Sequence, residues 1–434
     1  ERTVNDLEHT SMTYEFAENS PMIQLTPINI IGDVPDQVLK PNTSTLKGRS
    51  LRLQQSDTLG QTLQEELGVS NASFGPGVGM PAIRGLTGSR VRILQNGIGT
   101  HDATSLSPDH AVAIDPLFAE EIKILRGPEI IRYGGNAIGG IVDVNDHRIP
   151  EKRAKKPISG SVENRYDTNG DGINSAFKLK MGKDRLAFNL GGFYRKRGDT
   201  RIPGQAIDEA FVEQQFGLTE IQNATGRIPN TDSKSIGGFT GISWVGDNVM
   251  AGMAVSHTDN RYGVPRGSHN LDPNHLDGLE TILPRLDDLT GFEDIFGPKA
   301  LFPNVRINMQ QTRYDFKSAW YEPMRGIESI NFRYGLIDYE HTEFEGGSPF
   351  TKFKNDVGEG RVEARHNALP NLTGTFGAQW IDRNFSALGV ETFVPPAKQK
   401  LLGFYTTQEY TWNDWVLNGG IRFEHSRIDP RASE

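Results

Sequence analysis

The sequence predicts two parts: an α+β domain near the N-terminus, then an antiparallel β-barrel that crosses a membrane. Three observations lead there. From about residue 157 onward, segments of roughly ten residues alternate apolar and polar side chains, separated by Gly, Asn, Asp and Pro. No run approaches the ~18–20 apolar residues of a membrane helix, and mean hydropathy is −0.49. A barrel turns only alternate residues to lipid, so it tolerates that value. Residues 46–150, by contrast, mix helical and strand patterns.

Residues 1–20 are polar and aperiodic and read as an arm. The β-prone segment Met22–Ile31 follows, interrupted by Pro27. The arm is placed at 1–45, the mixed domain at 46–150 and the barrel region at 151–434. In the mixed domain, Ser56 or Asp57 caps a helix whose Leu59, Leu63 and Leu67 share one face and which Gly68 stops. A strand and turn run from Val91 to Gly97, and a short helical turn spans 114–119. Glu121–Val144 reads as a strand through Ile122 and Ile124, a turn at Arg126, Gly127 and Pro128, a glycine cluster, and a second strand through Ile141, Val142 and Val144.

About eleven strands are expected between residues 158 and 428. Phe177, Leu179 and Met181 alternate with Lys178 and Lys180; Tyr314, Phe316 and Trp320 oppose Arg313, Asp315 and Lys317; Ile330, Phe332, Tyr334 and Leu336 oppose Asn331 and Arg333. Apolar-out, charged-in alternation over long strands is the membrane-barrel pattern; a sandwich would use shorter strands. The largest polar insertions are 197–233 and 259–309. The start, Glu1 to Asn5, lacks an apolar core behind a basic head, so an exported chain is expected here in its mature form.

Composition narrows the function classes. The absence of cysteine excludes a disulfide scaffold, a thiolate metal site and a cysteine nucleophile. A net charge of −9 disfavours nucleic acid as a partner and mildly favours cationic ligands. No nucleophile elbow, phosphate loop or His-Glu-x-x-His set is present, so an enzyme is not expected.

Two motifs recur in a familiar order: Ile83, Arg84, Gly85 and Leu86 followed by Arg90–Gly97, then Glu121–Val144 with Gly134, Gly135, Gly139 and Gly140. The pattern resembles the plug domain of TonB-dependent outer-membrane receptors. The resemblance implies a plug inside a barrel of about 22 strands in the full protein, of which only about half is present here. It implies a bacterial outer-membrane location in contact with lipid, and a partner, TonB, with its inner-membrane energising complex. TonB would pair with an N-terminal strand by strand addition; the candidate box is Leu25, Thr26, Pro27, Ile28, Asn29, Ile30 and Ile31.

Ser107–Ala111, Ile141–Pro150 and Tyr262–Pro265 resemble the zinc-regulated subgroup of these receptors. That resemblance implies a plug Asp-His pair in metal binding, which falls on Asp109 and His110, with His101 and Asp102 as a second pair. Residues two apart on a strand share a face, so His341, Glu343 and Glu345 turn inward, opposite Ile330–Leu336, and offer zinc-type donors. His257, His269 and His275 form a further candidate cluster at a long connection. The expected cargo is zinc or a small zinc complex, with no cofactor required. Haem or a ferric siderophore is the alternative cargo, and a non-transporting adhesin or phage or bacteriocin docking protein the alternative class.

Overall fold

Small plug-like and long barrel-like β-structure succeed one another along the chain. The computed structural model describes residues 43–216, 223–265, 304–389 and 394–431. The candidate box Leu25–Ile31, His269 and His275 lie outside the described residues.

The first part holds β1 (Thr43–Lys47), α1 (Gly48–Gln54), α2 (Leu59–Leu63), β2 (Val69–Ser73), β3 (Gly79–Ile83), β4 (Val91–Gln95), β5 (Ile98–Gly99), β6 (Glu121–Leu125) and β7 (Gly140–Asn145). Five strands form one mixed sheet in the order β1-β6-β7-β4-β5, and β2 pairs with β3. The two strands expected in the glycine-rich run are β6 and β7, which pair antiparallel with Ile124 opposite Val142. β7 then runs parallel to β4. Leu46, Leu51, Leu59, Leu63, Ile122 and Val142 make the core between sheet and helices.

The helix at 59 is shorter than its periodicity suggests. Thr58, rather than Ser56 or Asp57, caps it, its Oγ1 accepting Gln61 N–H at 3.3 Å. It ends at Leu63, and Leu67 is 89% exposed. Residues 64–68 turn instead, through Glu66 N–H to Leu63 O and Gly68 at φ +71°, to deliver Val69 to β2. Helix α1 buries only Leu51, too little for a periodic signal.

Among the described residues, the second part is an eleven-stranded, all-antiparallel sheet. Its strands are β8 (Ile158–Asp167), β9 (Gly172–Lys183), β10 (Leu186–Arg197), β13 (Ser233–Val245), β14 (Val249–Val264), β15 (Val305–Met324), β16 (Ile327–Glu345), β17 (Ser348–Leu369), β18 (Leu372–Gly389), β19 (Ala397–Trp412) and β20 (Trp415–Pro430). Every strand bonds to its neighbour in sequence, except that β10 pairs with β13 across an insertion holding the small hairpin β11 (Thr200–Gln205) and β12 (Thr225–Ile228) and helix α3 (Glu209–Phe216). The expected alternation is present: Phe177, Met253, Tyr314, Phe316 and Trp320 face out, while Ile337, Tyr339, Phe353 and Val357 are buried on the inner face.

The connections between β9 and β10, β15 and β16, and β17 and β18 are two-residue turns at one end of the sheet; the long insertions lie at the other. The second insertion is shorter than the polar stretch 259–309 suggested. β14 and β15 stay in register from Asp259 opposite Gln310 to Val264 opposite Val305. Asp259, Asn260 and Arg261 are polar yet paired, because backbone hydrogen bonds set the ladder whatever the side chain. The first domain packs against the inner face, where Ile98, Ala103 and Ala113 meet Met309, Ile337, Tyr339, Val357 and Ile381.

Candidate metal site between plug and barrel wall

The site is built on the loop 99–113. Asn96 (φ +55°) and Gly97 (φ +82°) turn β4 back into β5, and the chain leaves at Thr100 toward the long-insertion end. Asp102 closes the loop on itself. Its Oδ1 accepts Thr104 N–H (3.2 Å) and Thr104 Oγ1–H (2.6 Å), and its Oδ2 accepts Ala113 N–H (3.0 Å). Asp102 is thus committed to the loop's shape. The barrel wall holds the same loop from outside: Arg313 donates to Gly99 O (2.9 Å), Gln311 to Thr100 O (2.8 Å) and Asn355 to His101 O (2.6 Å).

At the far side of this loop, plug and wall bring together His110, His341 and Glu343, whose donor atoms all lie within 4.8 Å of one another. His110 and His341 are 2% and 1% exposed and Glu343 5%. His110 Nδ1 lies 2.9 Å from Ala103 O; a carbonyl only accepts, so Nδ1 carries the proton. Nε2 therefore faces Glu343 Oε1 at 2.8 Å. Two acceptors at that distance need a cation between them, a proton or a metal ion. Burial opposes the charged ring, but the Glu343 hydrogen bond and the Asp109 charge outweigh it and raise the His110 pKa above the ordinary histidine value.

His341 is oriented from behind by Tyr339, whose hydroxyl lies 2.9 Å from Nδ1. Its Nε2 is buried without a hydrogen-bond partner among the described residues and lies 3.5 Å from Glu343 Oε1. Phe353 stacks on His341 at 4.4 Å and meets His110 edge-on at 5.2 Å, walling the site with apolar surface. Asp109 Oδ1 lies 4.0 Å from His110 Nε2 and accepts the Ser107 hydroxyl.

This donor set fits a transition metal. Two donors at 2.0–2.1 Å from a tetrahedral ion sit about 3.3 Å apart, close to the 3.5 Å and 2.8 Å found here. Two imidazoles and a carboxylate suit zinc-like ions over magnesium or calcium. The groups behind His110 and His341 are the kind that fix ring orientation at metal sites.

The remaining sequence candidates lie elsewhere. Glu345 ends β16 beyond the register shift at Glu343–Phe344 and is outside the three-residue group. His257 is on the outer face of β14, exposed, with Nδ1 2.9 Å from Thr312 Oγ1. His101 (φ +50°) turns away from His110 and places Nε2 2.6 Å from Glu359 Oε2. Burial lowers its pKa despite that contact.

Glu359 anchors a network that sequence reasoning did not single out. This fully buried carboxylate on β17 also accepts Gly99 N–H (3.0 Å), Arg92 Nη2–H (3.3 Å) and Gln379 Nε2–H (2.6 Å). Four residues along the same face, Glu363 accepts Arg132 (2.8 Å), Arg333 (2.9 Å) and the Tyr405 hydroxyl (2.9 Å). Arg92 and Arg132 belong to the plug, so two neighbouring wall carboxylates clamp it.

Comparison with known proteins places the fold. Residues 37–141 match the TonB-dependent Receptor Plug Domain family model. This stretch is a plug domain of that type, and the eleven-stranded sheet after it has the fold of part of a TonB-dependent receptor barrel. A rhizobactin receptor of Rhizobium meliloti (strain 1021) is 38% identical over 146 residues, 33% of this chain and 18% of that receptor. Among solved structures, the copper transporter OprC superimposes with a TM-score of 0.67 at 14% identity over 90% of this chain and 56% of OprC. The Serratia marcescens hemophore receptor HasR gives 0.63 at 13% over 89% and 52%. The siderophore receptor PirA of Pseudomonas aeruginosa gives 0.58 at 16% over 90% and 57%. The chain spans little more than half the length of these solved chains.

Proposed function

We propose that this chain is part of a TonB-dependent receptor that takes up zinc, or a small zinc complex, across the bacterial outer membrane. The observation that carries the cargo is the buried His110, His341 and Glu343 group, shared between plug and wall at the end bearing the long insertions. A metal ion held there contacts both parts at once, so its arrival and release are coupled to plug movement. Zinc is the transported substrate and undergoes no covalent chemistry. TonB engages the N-terminal box Leu25–Ile31 and draws on the inner-membrane proton gradient to move the plug.

A second reading has one observation in its favour: the rhizobactin receptor shares 38% identity over 146 residues. It keeps the transport class and makes the cargo a ferric siderophore. Uptake of radioactive zinc by cells carrying the intact receptor separates the readings. The zinc reading expects uptake that stops when residues 22–31 are deleted or TonB is absent. Zinc uptake unaffected by both, or ferric-siderophore uptake alone, defeats it.

A further inference from the structure

The Tyr262 side chain reaches from the barrel wall into the plug beside the metal group. It sits near the end of β14, 1% exposed. Its hydroxyl accepts Ala111 N–H at 2.8 Å and lies 3.2 Å from Asp109 O, to which it donates. One hydroxyl thus bonds the backbone on both sides of His110 and uses its single proton and one lone pair in doing so. The ring is fixed in turn. Val78, Ala111, Val264 and Ile307 pack around it. A Cβ on Gly77 of the plug would come within 2.8 Å of Tyr262 Cβ, so the plug backbone lies directly against it.

Resting on the zinc-cargo reading above, we propose that Tyr262 is a positioning residue of the metal site: its hydroxyl holds the 109–111 backbone so that His110 Nε2 stays aimed at Glu343 and His341. His110 then has two supports, Ala103 O behind its ring and Tyr262 across its backbone. His341 has the matching support in Tyr339. Each imidazole is aimed by a buried tyrosine of the wall, one through the backbone and one through the ring. Backbone positioning matters because ligand atoms must sit within a few tenths of an ångström of their places to bind metal tightly. Without the hydroxyl, Ala111 N–H and Asp109 O are left buried without this partner, and the loop relaxes toward others.

The test compares the intact receptor with its Tyr262→Phe and His110→Ala variants, titrated with zinc. Tyr262→Phe is expected to bind about 10–100-fold more weakly, the usual effect of losing a group that orients a ligand. Cobalt(II) in place of zinc is expected to show a weaker ligand-field band in Tyr262→Phe, and amide exchange is expected to rise at Ala111 while the strands of the plug sheet stay protected. If His110→Ala loses zinc and Tyr262→Phe does not, the inference is wrong and the cargo site stands. If exchange rises throughout the plug in Tyr262→Phe, the tyrosine is a general packing residue and the inference is again wrong. If wild type and His110→Ala bind zinc equally, the cargo reading fails and takes the inference with it.

Discussion

His110 of the plug and Glu343 of the barrel wall, 233 residues apart, place Nε2 and Oε1 2.8 Å from each other. This contact ties plug to wall, and in the proposed zinc reading its two atoms are metal ligands. Glu343→Gln keeps the shape and removes the charge that a cation needs. Zinc affinity is expected to fall at least about tenfold, about 1.4 kcal/mol, while the far-ultraviolet circular dichroism stays that of wild type. An unchanged isotherm from calorimetry excludes Glu343 as a ligand.

The Glu359 carboxylate gathers Arg92, Gly99 N–H, His101 and Gln379 in a fully buried place. Truncating one member of such a network leaves buried charge without its partner. Glu359→Ala is expected to destabilise the plug–barrel assembly by about 3–5 kcal/mol. The exposed pair of Glu328 and Arg365 (2.8 Å) serves as the control, since losing an exposed pair costs about 0–1 kcal/mol. Calorimetric unfolding of both variants checks this; similar midpoints contradict it.

Acid reads a different contact. Asp146, where the plug leads into the barrel, accepts Arg148 Nε–H at 2.9 Å and Asn96 Nδ2–H at 2.9 Å. Burial alone would raise its pKa; the Arg148 charge and these hydrogen bonds override that and lower it from 3.8 to about 2. A depressed folded-state pKa gives stability that is fully present above the unfolded value and lost as pH falls through the folded one. The contribution is about 2 kcal/mol at neutral pH and disappears between about pH 4 and pH 2. Asp146→Asn is expected to flatten the stability profile in that window. A profile as steep as wild type counts against the assignment.

The glycine cluster is architecture, and two of its members behave oppositely. Gly140 has φ +144°, and a Cβ there would approach Ile83 Cδ1 and Leu125 O to 2.9 Å. Gly135 has no atom within 4 Å of such a Cβ. Gly140→Ala is expected to destabilise the plug by about 1–3 kcal/mol, and Gly135→Ala by less than about 0.5 kcal/mol. Equal effects on the thermal midpoint contradict this account of the cluster.

The class of fold was legible because its signals are local and repeated. Phe316 against Lys317 or Tyr334 against Arg333 already tells which face meets lipid, and the alternation carries on through strand after strand. The parity along β16 likewise put His341 and Glu343 on the inner wall. What the alternation cannot reveal is depth and partner. It placed Glu345 on the same face as Glu343, but Glu345 is the last residue of β16 and is outside the group that His110, His341 and Glu343 form. The family resemblance offered His101 and Asp102 as ligands, yet His101 binds Glu359, 258 residues away, and Asp102 closes its own loop. Helix α2 stopped short because the chain had to turn into β2, a tertiary demand that the leucine spacing does not carry.

Zinc titration of the intact receptor against its His110→Ala, His341→Ala double variant tests the central claim most directly. The account predicts one tightly bound zinc per wild-type receptor and its loss from the double variant, with haem and ferric siderophore binding no better than zinc. Equal zinc affinity in the two proteins contradicts it.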